Sequence, residues 1–157
     1  MERLRNMRLE DELFHFAIKT FVEQNITGVD NALSVAEKLY NKFKKNETTF
    51  LVCGYIGNEQ HIYVVDDTLT RINKKDDVLY YGIIPFGKRE TVLKLLHDKY
   101  DGINCNELTL QMGINISREL IECGIKNEES CGGLVSILII KNNGSEWQQR
   151  YFVSQDI

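Results

Sequence analysis

The paired glycine of Cys131-Gly132-Gly133, followed at once by Leu134-Val135-Ser136-Ile137-Leu138-Ile139-Ile140, constrains this chain more than any other stretch. Two adjacent glycines let a backbone turn sharply and come close to another segment. A short, nearly unbroken apolar run after such a turn predicts a strand buried on both faces. A strand of that kind needs layers on either side of it, so the rest of the chain must supply helices or a second sheet.

The periodicities supply both. Leu13, Phe14, Ala17, Ile18, Phe21 and Val22 fall at helical spacing. After a polar break, Asp30 is placed to cap a second helix whose apolar face carries Ala32, Leu33, Ala36, Leu39, Tyr40 and Phe43. Four short strands are expected next, at 49–56, 61–65, 69–73 and 78–84, joined by tight turns in an antiparallel meander. A helix over 88–100 follows. A second, capped by the box-like Asn104-Cys105-Asn106-Glu107, is expected to run to about Cys123, with Gly113 marking a close approach to a sheet. A closing hairpin pairs 134–141 with 147–153 through a turn in which Asn143-Gly144 takes positive φ. The expected class is α+β, antiparallel sheets covered by helix pairs in the order ααββββααββ, as one domain over 1–157.

Several function classes are disfavoured. The formal net charge of −4 leaves no basic footprint for nucleic acid, and Arg3, Arg5 and Arg8 are diluted by Glu2, Glu10, Asp11 and Glu12. No apolar run reaches the ~18 residues of a membrane span, and no apolar leader is seen, so a cytoplasmic protein is expected. The four cysteines (Cys53, Cys105, Cys123, Cys131) form no C-x-x-C pair, which predicts reduced, packed thiols. His15, His61 and His97 lack metal-ligand spacing, so neither metal nor cofactor is expected. Asp66-Asp67 and Asp76-Asp77 fit turns better than an acid/base pair. Trp147 on the last hairpin is a candidate interface anchor.

Taken as an ordered set, these segments resemble the later two-thirds of a proteasome-type N-terminal-nucleophile hydrolase subunit. The resemblance spans about residues 10–153. It rests on Phe50-Leu51-Val52-Cys53-Gly54-Tyr55, on Ile62-Tyr63-Val64-Val65-Asp66, on Tyr80-Tyr81-Gly82 where the family has Gly-Ser-Gly, and on Glu128-Glu129-Ser130-Cys131-Gly132-Gly133 where it has Asp-x-x-Ser-Gly-Gly. The resemblance implies part of an αββα sandwich and residues at Glu128, Cys131, Gly132 and Gly133 that would support a site. It does not bring the chemistry with it. The family's nucleophile and its partners lie in strands that precede everything matched here, and the one Gly followed by Ser, Thr or Cys is Gly144-Ser145. Glu128 and Cys131 replace the family's Asp and Ser, and Ile83 replaces a Ser.

The resemblance therefore implies a non-catalytic, truncated or degenerate proteasome-like subunit. Such a chain would act as a homo-oligomer or with a proteasome-like partner subunit, and a sheet lacking its first strands would leave an edge open to pairing. Two other readings are the later part of an amidohydrolase whose nucleophile lies upstream of Met1, and an unrelated small α+β binding domain.

Overall fold

A computed structural model describes residues 2–86, 90–129 and 131–149. The chain is α+β, with four helices and small antiparallel sheets in the order ααβββββααββ. Its contacts group into two compact units, Met1–Asn73 and Lys74–Ile157. No described helix is long and apolar enough to cross a membrane.

The first unit holds helix α1 (Glu2–Asn25), helix α2 (Ala32–Phe43) and strands β1 (Phe50–Ile56), β2 (Glu59–Val65) and β3 (Leu69–Arg71), which form one sheet in the order β1-β2-β3. The apolar face expected on α2 is the face it buries: Ala32, Ala36, Leu39 and Phe43 pack on Val52, Tyr63 and Val65 of the sheet. Phe14, Ile18 and Phe21 of α1 close over them, and Phe43 receives the rings of Phe14 and Phe21 edge-on at 6.0 and 5.3 Å. Edge-to-face placement sets the positive rim of one ring against the negative face of the other. Gly54 lets α2 sit close to β1, since a Cβ there would lie 3.1 Å from that of Ala32.

The cap of α2 differs from expectation by one residue. Asn31 is the N-cap and accepts from the N–H groups of Leu33 and Ser34. Asp30 instead binds Lys38 Nζ at 2.7 Å and the Thr27 N–H at 2.8 Å, so it fastens the loop before α2 to the helix. The Lys38 ammonium, and then the Thr27 N–H, hold its carboxyl far below the usual carboxylate range.

The second unit begins with a two-stranded ribbon, β4 (Lys74–Lys75) and β5 (Val78–Leu79). The expected four-strand meander is thus broken. Lys74-Lys75 pairs rather than ending a strand, and the fourth strand stops at Leu79, leaving 80–86 without regular structure. The ribbon turns through Asp76 and Asp77, both at positive φ (50° and 62°), which is the backbone a two-residue hairpin requires.

Helices α3 (Glu90–Tyr100) and α4 (Leu110–Asn127) follow, packed through Val92, Ile116 and Leu120. Asn104 caps only a 3-10 turn at Cys105–Glu107, while Thr109 caps α4 by accepting from the Met112 N–H. Gly113 faces open space and is not a point of close packing. Gly124 is, because a Cβ there would stand 3.4 Å from Val92 Cγ2. Residues 88 and 89, expected to start α3, lie outside the described residues.

The last ribbon pairs β6 (Ile137–Lys141) with β7 (Gly144–Gln149). Strand β6 is buried on one face only: Ile137 and Ile139 pack on Ile114 of α4, while Leu138 and Ile140 face outward. Its turn departs from expectation too, since Gly144 alone takes positive φ there. Residues 150–153, expected to extend β7, lie outside the described residues. The described strands form three separate small sheets, and a layered αββα sandwich is not among them.

Candidate functional site

The end of α4 and the segment before β6 hold the four residues singled out in the sequence. Glu128 is the C-cap of α4, with its N–H on the Gly124 carbonyl at 2.9 Å. Its carboxylate accepts from the Thr91 hydroxyl of α3 at 2.7 Å. The Cys131 N–H donates to the Glu128 carbonyl at 2.9 Å, which turns the chain off the helix. Gly133 then takes φ +91°, a conformation that side chains rarely adopt. Glu128 is thus committed to joining two helices, and the glycine serves the change of direction. Ser130 lies outside the described residues.

Beyond that turn, 131–136 runs without regular structure into β6, and 81–86 is likewise without regular structure. Between them and the outer side of α4 lies an open groove of about 610 Å³. Ile83, Phe86, Leu120, Ile121, Leu134 and Val135 give it an apolar lining, with Cys131 and Gly132 also on its wall. Leu134 keeps 69% of its surface exposed, and Leu138 and Trp147, paired across the ribbon, stay exposed as well. Gly133 instead borders a neighbouring hollow of about 320 Å³ beside Arg118, Glu122 and Lys126.

The structure therefore brings Cys131 and Gly132 together with Ile83, the position matched to a family Ser, on one groove. Glu128 adjoins it through the turn and points to Thr91. What gathers there is apolar. The polar side chains on its wall are those of Ser117, Cys131 and Ser136. An apolar concavity favours an apolar occupant, since water leaves both surfaces on contact.

Two polar constellations went unread in the sequence. Glu119 of α4 receives Lys99 Nζ at 2.5 Å and the Tyr100 hydroxyl, a clamp between α3 and α4. Lys99 first, then Tyr100, holds its carboxyl below the ordinary value. In the first unit, His61 Nδ1 meets the Tyr63 hydroxyl at 2.9 Å and His61 Nε2 meets Glu59 at 3.2 Å; Arg71 reaches Glu59 at 2.8 Å. Alternation along β2 puts 59, 61 and 63 on one face, and that spacing was the available signal. Both ring nitrogens of His61 are engaged, which suits a satisfied core histidine.

No protein-family model, curated protein or solved structure matches this chain.

Proposed function

We propose that this chain acts by docking, as a non-catalytic proteasome-like subunit that self-associates or seats an apolar segment of a partner subunit. In that reading its helix pairs and strands correspond to part of an αββα sandwich. The observation that supports it is the meeting of Ile83, Cys131 and Gly132 on one groove: positions that would surround a nucleophile in the family line an apolar surface here. A groove walled by segments that lie outside regular strands and lined by apolar side chains suits a short apolar segment, which gains side-chain contacts from the lining.

The test is a selection of displayed peptides against the full chain, with affinities then measured by fluorescence polarisation. Binders are expected to carry apolar residues. Leu134→Asp and Ile84→Asp are each expected to weaken them about tenfold or more, the equivalent of ~1.4 kcal/mol. Both residues are exposed, so neither change should unfold the protein. Binders indifferent to both changes would remove the groove from the account. Turnover of peptide substrates by the purified chain would overturn the non-catalytic reading.

A further inference from the structure

Among the described strands, β1 is an outer strand of its sheet, with β2 as its one partner. Which of its backbone groups face outward follows from β2. The Ile62 N–H donates to Asn73 Oδ1 at 3.0 Å, and the Ile62 carbonyl accepts from the Ile72 N–H at 2.9 Å. Both groups of Ile62 thus point away from β1, so its partner across the ladder, Cys53, forms a non-hydrogen-bonded pair with it. The two-residue loop Gly57-Asn58 closing on Ile56 and Glu59 gives the same phase. Leu51, Cys53 and Tyr55 therefore turn their N–H and C=O groups away from β2, to the side of β1 where no described strand pairs.

Natural edge strands carry devices against pairing: a charge, a proline, a bulge. Strand β1 carries none. Residues 48–58 include no charged side chain and no proline, and the β1–β2 register is unbroken. Leu51 and Cys53 are exposed on the outer face. In a chain of net charge −4, this strip is neutral, so two copies meet along it without like-charge repulsion and a highly charged partner gains nothing there.

We propose that two copies of this chain join through β1, antiparallel about a two-fold axis at Cys53, merging their three-stranded sheets into one. Cys53 then faces Cys53 of the second copy, Leu51 faces its Tyr55, and Phe50 faces its Ile56. This register places all three outward-facing residues in reciprocal hydrogen-bonded pairs. A slip of two residues strands one of them, and a slip of one turns the bonding groups away. The interface is self-complementary, as a two-fold contact must be. Every residue it uses lies in the first unit, so it stands or falls independently of the groove.

The test uses the full chain. Sedimentation velocity over a concentration series reads the association, and crosslinking of the thiols with a short bismaleimide reads the register. Facing residues in a hydrogen-bonded antiparallel pair have Cα and Cβ atoms ~5.5 Å apart, wider at Cβ than the ~3.5–4.5 Å of a disulfide, so a short bismaleimide rather than direct oxidation joins the two thiols. The expected result is a dimer that the bismaleimide converts to a covalent one through Cys53, with no such product from Cys53→Ser. Cys53→Lys sets two ammonium groups face to face on an exposed position and should weaken the dimer at least tenfold. If that variant misfolds, the location of the crosslink in the wild-type chain still decides the matter. A chain monomeric at every concentration, a dimer indifferent to Cys53→Lys, or a crosslink that persists in Cys53→Ser would each overturn the proposal. Pairing of β1 only with a strand of another protein would also overturn it.

Discussion

The two halves of this chain spend their apolar residues differently. In the first, Ala36, Leu39, Phe43, Val52, Tyr63 and Val65 meet in one cluster roofed by the aromatic rings of α1. In the second, the buried residues divide into two small clusters, one around Val92, Ile116 and Leu120 and one around Ile114, Ile137 and Ile139. Much of the remaining apolar surface there is outside: Ile84, Phe86, Leu134, Leu138 and Trp147 are all exposed. Isolated exposed apolar side chains are ordinary, and it is the contiguous apolar lining of the groove that supports the docking proposal. The first half gathers its buried residues into one cluster, and the second leaves more of its large apolar side chains at the surface.

The largest expected effects separate the halves most clearly. Phe43→Ala removes the ring on which Phe14, Phe21 and Phe50 converge and should cost about 3–5 kcal/mol. Leu120→Ala should cost about 2 kcal/mol, the lower end of its class, because the groove beside it lets neighbours relax. Urea denaturation followed by residue-resolved hydrogen exchange measures both, and the loss of protection should stay within the half that carries the change. Equal losses in both halves from either substitution would break the comparison.

A smaller effect is expected at Gly54. A methyl group there would press on Ala32 Cβ at 3.1 Å, and neither partner has a rotamer to yield. Gly54→Ala should therefore cost on the order of 1 kcal/mol by overpacking, read as a lower urea midpoint. Asp77→Gly works in the opposite sense in the second half. Glycine adopts the observed φ of 62° without the Cβ clash, so the ribbon should gain about 0.5 kcal/mol.

The change with the clearest pH signature is at Asp30. Its carboxyl titrates below the ordinary range in the folded chain, chiefly because of Lys38. Its stabilisation is therefore complete above the unfolded value of ~3.9 and fades as pH falls through the lower folded value. Asp30→Asn should flatten the acid limb of the first half's stability curve, measured by urea midpoints across pH, and leave the second half's curve as it was.

The first half was the more legible in sequence, for physical reasons. The α2 face and the β1–β2 hairpin are set by local period, with 3.6 or 2 residues per repeat against one core. The second half depends on geometry that local pattern does not carry. Lys74-Lys75-Asp76-Asp77 reads as a polar loop, yet Asp tolerates positive φ well enough to turn a hairpin. Gly113 and Gly124 look alike in sequence, and only the crossing of α3 over α4 decides which one is packed. The apolar run 134–140 predicts cover on both faces, but Leu138 and Ile140 are left outside. Of the candidate site, the turn at Glu128 to Gly133 was legible from its glycines. The groove was not, because its lining comes from segments some fifty residues apart. Thr91 as the partner of Glu128 was hidden for the same reason.

Hydrogen exchange on the dilute full chain tests the central claim most directly. The amides of residues 81–84, Phe86 and 132–135 should exchange quickly in the free protein, while those of β2 and α2 exchange only through global opening. Adding a selected groove-binding peptide should slow the first two segments and leave β2 unchanged. If those two segments are already as protected as β2 in the dilute chain, the groove is not an open docking surface and the account fails.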